Sequence, residues 1–193
     1  MAIGSLGQYL EDSTVENVVV DDVRVCFPSY AQRSKQRLTC SQIISYNDDM
    51  TNSAYIKTWV GALVPQDSYE SEYLPRGGGW GSVRNILFSN FYVAGADSGP
   101  AISEDSGDNG SYVGSSLMEI SNIGFVNFTG YLSGKEKNNV TATISCSDVH
   151  PCYNIAVENV TLTTGLNSTS TGTASCAFVS PGGVHGLNGS GCD

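Results

Sequence analysis

Four stretches of this chain repeat one arrangement of polar and apolar positions. An Asn precedes an alternating apolar run, and a second Asn or Asp follows five positions later. The stretches are Asn-Val-Val-Val-Asp-Asp-Val at 17–23, Asn-Ile-Leu-Phe-Ser-Asn-Phe at 85–91, Asn-Ile-Gly-Phe-Val-Asn-Phe at 122–128 and Asn-Ile-Ala-Val-Glu-Asn-Val at 154–160. Within each, the pairs Val18/Val20, Ile86/Phe88, Ile123/Phe125 and Ile155/Val157 sit two apart, so both members face one side of a strand, the side that becomes core. The last three stretches begin 37 and then 32 residues apart. Such spacing suits a β-solenoid, whose coils stack in register and differ only in the loops at their corners. Each coil buries its apolar face against its neighbours, and Asn residues at one recurring position are expected to stack into an amide ladder. An ordinary β-sandwich with Asn-rich turns fits the same alternation and stays open at this level.

Residues 24–42, RVCFPSYAQRSKQRLTCSQ, interrupt the pattern. They show no alternation, and they hold four of the nine Lys and Arg (Arg24, Arg33, Lys35, Arg37) and two of the six Cys. Removing them joins VENVVVDDV to IISYNDDMTNSAYIKTW and restores a continuous run of strands and turns. Two readings follow: a non-native insert, such as a retained intron translated in frame, or a genuine basic surface loop.

Composition reinforces the all-β expectation. With 22 Gly, 10 Tyr and only 15% charged residues, the chain is poor material for long helices and good material for short strands joined by turns. The formal net charge of −10 argues against nucleic-acid binding, which needs clustered cations. A polyanionic substrate would have to be recognised by a few local cations against an unfavourable field. No apolar run is long enough to span a bilayer, so no membrane association is expected. The start, MAIGSLGQYL, lacks the basic end and apolar stretch of a signal peptide. Six Cys and six Asn-X-Ser/Thr sequons, at Asn109, Asn127, Asn139, Asn159, Asn167 and Asn188, nonetheless resemble a secreted, disulfide-bonded glycoprotein. A missing N-terminus is the expectation that reconciles the two.

Outside residues 24–42 four Cys remain. Pairing Cys146 with Cys152 and Cys176 with Cys192 is the simplest of three possibilities. The second bond would contribute about 3 kcal/mol on the chain-entropy model, by closing a loop near the terminus. The Cys spacings do not resemble a zinc site, and His150 and His185 lie in turn-like sequence, so neither metal nor cofactor is expected.

Several blocks carry a more specific likeness. MAIGSLGQY (residues 1–9), NSAYIKTWVG (52–61) and RGGGWGSVRNILFSNF (76–91) resemble glycoside hydrolase family 28, the polygalacturonases. SEDSGDNGSY (103–112), FVNFTGYL (125–132), CSDVHPCYNI (146–155) and GGVHGL (182–187) resemble its fungal exo-acting branch. The resemblance covers nearly the whole chain except residues 24–42. It implies a right-handed parallel β-helix, of which residues 1–193 form the C-terminal coils, and an enzyme that hydrolyses α-1,4 galacturonosyl links with inversion. The family's motifs run Asn-Thr-Asp, Asp-Asp, Gly-His-Gly and Arg-Ile-Lys. Inversion needs one carboxylic acid to protonate the leaving oxygen and a second carboxylate to activate water. This chain begins just after the place for Gly-His-Gly, so its Met1 reads as an internal methionine and no catalytic residue is expected within it.

Only the fourth motif has a counterpart, Tyr55-Ile56-Lys57. By resemblance Lys57 would bind the galacturonate carboxylate. Tyr55, two positions earlier and therefore on the same strand face, replaces the family's Arg. A Tyr can stack on a sugar or donate one hydrogen bond, but it cannot form a bidentate pair with a carboxylate. The acidic loop Glu104, Asp105, Asp108 matches no family acid motif and reads as a loop shaping the cleft end or as plain surface. Asp48 and Asp49 read as turn or capping residues. Trp59 and Trp80 could stack on sugars or simply pack.

The leading expectation is thus part of a secreted exopolygalacturonase, monomeric in full-length form, whose partner is pectic polygalacturonate and which is inactive as this chain alone. The alternatives are a hydrolase of rhamnogalacturonan or xylogalacturonan, and a non-catalytic solenoid that binds acidic polysaccharide. An uncapped stack end is expected to make the isolated chain poorly soluble.

Overall fold

The computed structural model describes residues 1–26, 44–45, 51–65, 75–107, 110–135 and 140–192. The alternating stretches become strands, and every pairing between named strands is parallel. In chain order they are β1 (Ala2–Leu6), β2 (Val15–Cys26), β3 (Ile44–Ser45), β4 (Tyr55–Trp59), β5 (Trp80–Ala96), β6 (Ala101–Ser106), β7 (Leu117–Leu132), β8 (Val140–Ser145), β9 (Tyr153–Thr163), β10 (Thr173–Ala177), β11 (Val184–His185) and β12 (Gly189–Ser190). One six-stranded sheet runs β1-β4-β6-β8-β10-β12 and the other β11-β9-β7-β5-β2-β3. Short strands of the first sheet alternate along the chain with long strands of the second, so each turn of the chain adds one strand to each sheet. That is a parallel β-helix, and the sandwich alternative falls because its strands would pair antiparallel.

The long strands are bent ribbons, and the recurrent Asn residues make the bends. Asn17, Asn85, Asn122 and Asn154 all have φ between 54° and 60°, and Asn90, Asn127 and Asn159 between 52° and 59°. Asn is the side-chain-bearing residue that tolerates this left-handed region best. The same amides then join neighbouring coils. Asn85 donates to Asn17 at 3.0 Å, Asn122 to Asn85 at 3.2 Å and Asn154 to Asn122 at 2.6 Å. A second ladder runs from Asn159 to Asn127 at 3.1 Å and Asn127 to Asn90 at 2.9 Å, and Asn90 ends it on the Asp21 carboxylate at 2.7 Å. Ser89 also donates to Asp21 at 2.6 Å, and these two donors hold the Asp21 carboxyl below its ordinary pKa.

Inside the coil, the same register stacks like on like. Phe88 lies over Phe125 with ring centroids 5.3 Å apart, and Phe91 over Phe128 at 4.5 Å. The two stacks meet edge to face at 6.1 and 6.2 Å. Ile56, Ile102 and Ile144 form a matching column beneath the first sheet, all fully buried. Truncating one such Phe costs about 3–5 kcal/mol, because its stacked neighbours cannot close the cavity.

Two departures from a plain solenoid lie at the first coil. Arg24, Val25 and Cys26 stay in register with Tyr92, Val93 and Ala94, so the strand runs three residues into the irregular stretch; residues 27–42 lie outside the described residues. β3 pairs with β2 on the side away from β5, a step against the direction in which the other coils advance. At the opposite end both disulfides are present, Cys146–Cys152 and Cys176–Cys192.

Candidate functional site

Strand β4 places the two singled-out residues on one face. Ile56 and Thr58 point inward and are fully buried, so Tyr55 and Lys57, which alternate with them, point outward. Thr58 meets Ser116 inside, with hydroxyl oxygens 3.0 Å apart, which fixes the strand from beneath. Across the sheet, Tyr55 stands in register with Ala2, Ala101 and Thr143, and Lys57 with Ser103 and Ser145. On the β1 side the neighbour of Lys57 is Gly4, at φ +137°, where a Cβ would strike the Lys57 carbonyl oxygen. The result is a floor of small residues on which a phenol and an ammonium stand. Among the described residues no carboxylate pairs with Lys57. Its charge is therefore available to an acidic ligand.

At the end of these strands the corner loops are tied together. Gly77 donates its N–H to the Gln8 carbonyl and Gly79 to that of Gly7. Arg76, which the sequence reading left unassigned, is buried, and its guanidinium carbon sits 4.5 Å from the Tyr9 ring centroid. A buried Arg against an aromatic ring fixes the two loops that follow β1 and β4. Its only signal in the sequence was its place before three glycines.

The acidic loop separates into different roles. Glu104 points into the coil interior and is buried, with Oε1 3.8 Å from the Cys152 sulfur and Oε2 without a hydrogen-bond partner among the described residues. Burial, and then the neighbouring Asp105 charge, push its pKa up to about 9. Asp105, at φ 63°, accepts from the Gly114 N–H at 2.6 Å and the Ser116 N–H at 2.7 Å, which secures the following turn. Glu104 is thus turned inward, and both Asp105 oxygens are taken by these two amides. Asp48, Asp49 and Asp108 lie outside the described residues.

Trp59 is buried, and its ring packs against the Gly107 backbone so closely that no Cβ could be added there. Trp80 is exposed but belongs to the other sheet. Both His150 and His185 are exposed. Of the sequons, Asn127 and Asn159 belong to the second amide ladder, Asn167 and Asn188 lie exposed outside the strands, and Asn109 and Asn139 fall outside the described residues. The arrangement near Lys57 can bind a carboxylate and a sugar face. Among the described residues it offers no pair of exposed acids there to move protons.

A model of the family described as glycosyl hydrolases family 28 matches residues 75–184. A Neosartorya fischeri protein assigned as galacturan 1,4-alpha-galacturonidase C is 60% identical over 98% of this chain and 40% of its own length. Its Aspergillus niger namesake is 59% identical over the same shares. Exopolygalacturonase X-1 of Emericella nidulans is 32% identical over 83% of this chain and 32% of its own length. The chain thus spans about two fifths of the length of these two galacturonidase relatives. No solved structure gives a significant match.

Proposed function

This chain belongs to glycosyl hydrolase family 28, and from that membership we propose that it forms the C-terminal coils of a secreted hydrolase that releases galacturonate from the ends of α-1,4-linked pectic chains with inversion. Lys57 holds the carboxylate of a bound galacturonate, and Tyr55 lies against the same sugar or donates one hydrogen bond to it. The observation that carries the reading is the outward Lys57 on a floor of small side chains, where a flat pyranose can lie close to the sheet. The names of the relatives support the substrate, and the two disulfides support an oxidising, extracellular setting. The two carboxylates that inversion requires are supplied from outside this chain.

Titration with oligogalacturonates tests the site. Wild-type chain should bind them and release no galacturonate. Lys57→Ala should weaken binding about tenfold, the order expected for one charge-assisted hydrogen bond, and Lys57→Arg should retain part of it. Unchanged affinity in Lys57→Ala would remove the assigned role, and release of galacturonate by this chain would show that proton-transfer groups lie within it. A solenoid that binds acidic polysaccharide without cleaving it is the second reading. It is favoured by the lack of an exposed acid pair among the described residues around Lys57.

A further inference from the structure

A groove of about 440 Å³ follows one corner of the second sheet, away from the sheet that carries Lys57. Its floor is a row that the parallel register aligns residue for residue: Arg24, Tyr92, Thr129 and Thr161 on four successive coils. At three strand spacings of about 4.8 Å the row is roughly 14 Å long, the span of a short oligosaccharide lying along the solenoid axis. One wall is the amide ladder of Asn90, Asn127 and Asn159, whose exposed side chains present further polar groups to the groove.

We propose that this groove is a second carbohydrate-binding site, which takes an acidic oligosaccharide with one carboxylate on Arg24 and a sugar face on Tyr92. The chemistry of the lining selects this class of ligand. Tyr92 is 44% exposed and offers an aromatic face to the C–H side of a pyranose. Thr129 and Thr161 place a hydroxyl on each of two successive coils, that of Thr161 donating to the Phe128 carbonyl at 3.4 Å and left to accept, at a pitch similar to that of a ligand's own hydroxyls. Arg24 supplies a planar guanidinium at one end, where a uronate carboxylate can bind bidentately. Asp22 lines the same end and accepts sugar hydroxyls. A site on a different sheet from Lys57 would tether the chain to a polymer while the first face engages an end, raising the local concentration of ends. The uronate identity of the ligand rests on the proposed function; the groove itself does not.

Two sequons, Asn127-Phe128-Thr129 and Asn159-Val160-Thr161, have both their Asn and their Thr in this lining. A glycan attached to either Asn would fill the groove, which makes the proposal easy to refute. The full chain, made without glycosylation and carrying Lys57→Ala to disable the first face, is titrated with oligogalacturonates and with neutral maltooligosaccharides of equal length. Residual oligogalacturonate binding should remain. It should fall at least fivefold in Tyr92→Ala and in Arg24→Ala, persist in Tyr92→Phe, and exceed the neutral-sugar affinity; near-UV dichroism confirms that each variant is folded. Loss of all binding in Lys57→Ala, or insensitivity of the residual binding to both groove substitutions, overturns the second site. Equal binding of the neutral chain overturns its acidic specificity. Mass spectrometry of the secreted protein showing a glycan on Asn127 or Asn159 also overturns it. The step from wild type to Lys57→Ala separately reads the role of Lys57, so the two ideas fail independently.

Discussion

Glu104 brings a carboxyl group into the interior of the coil, beside a disulfide sulfur, and among the described residues one of its oxygens has no hydrogen-bond partner. Burial is the main reason its pKa stands near 9 instead of its ordinary 4.5. Between those values the folded chain keeps a proton that the unfolded chain releases. The stability tied to this proton is complete below about pH 4.5 and drains away as pH climbs toward 9. Melting temperature should therefore fall across that window, and Glu104→Gln, neutral throughout, should flatten the fall; parallel slopes in the two proteins would contradict this. The Ser, Gly and Asn around Glu104, Asp105 and Asp108 read as a turn-like loop. Strand alternation was the better guide, since Ile102 and Glu104 are two apart and share the inner face. Lys57 and Tyr55 obeyed the same rule and were legible, because the alternation around them is marked by large apolar residues.

The elements owe their shape to the Asn positions. Asn122 donates to Asn85 and accepts from Asn154 while holding φ 54°. Asn122→Ala loses both bonds and leaves in the left-handed region a residue without the short polar side chain that eases it, for a cost of about 2–3 kcal/mol in denaturant unfolding. Asn122→Gly removes the bonds and keeps the backbone conformation easy, and should cost about 1–2 kcal/mol. Equal costs would mean that the ladder, and not the bend, is the whole effect. Recurrence of Asn before each apolar run announced this ladder in the sequence. Where the second ladder ends was not legible: Asn90 bonds to Asp21 although the recurring pattern points to Asp22, because the end of that stack has no further amide and takes the nearest acceptor. Phe125→Ala, stacked on Phe88 and edge to face with Phe128, should cost about 3–5 kcal/mol, measured the same way.

For the whole molecule the two ends differ. The last coils are closed by Cys176–Cys192, whose 16-residue separation contributes about 3 kcal/mol in the chain-entropy model. At the other end β1 is the edge of its sheet, and among the described residues its outer side has no strand partner. An unpaired parallel edge above an apolar interior is a template for association. Sedimentation velocity should show species that grow with protein concentration, and a single monomer over a hundredfold range would contradict this. The repeating strands and the inward faces of their apolar pairs were legible in the sequence, because a solenoid repeats one local pattern and each repeat needs only its neighbour; the Cys pairing, one of three open possibilities there, was settled by the fold. What depended on folding was every relation across coils that no local pattern encodes. Arg24 comes to stand in line with Tyr92, Thr129 and Thr161, and Glu104 comes to lie against Cys152, because loops of unequal length are absorbed at the corners and the register is set by backbone pairing between coils.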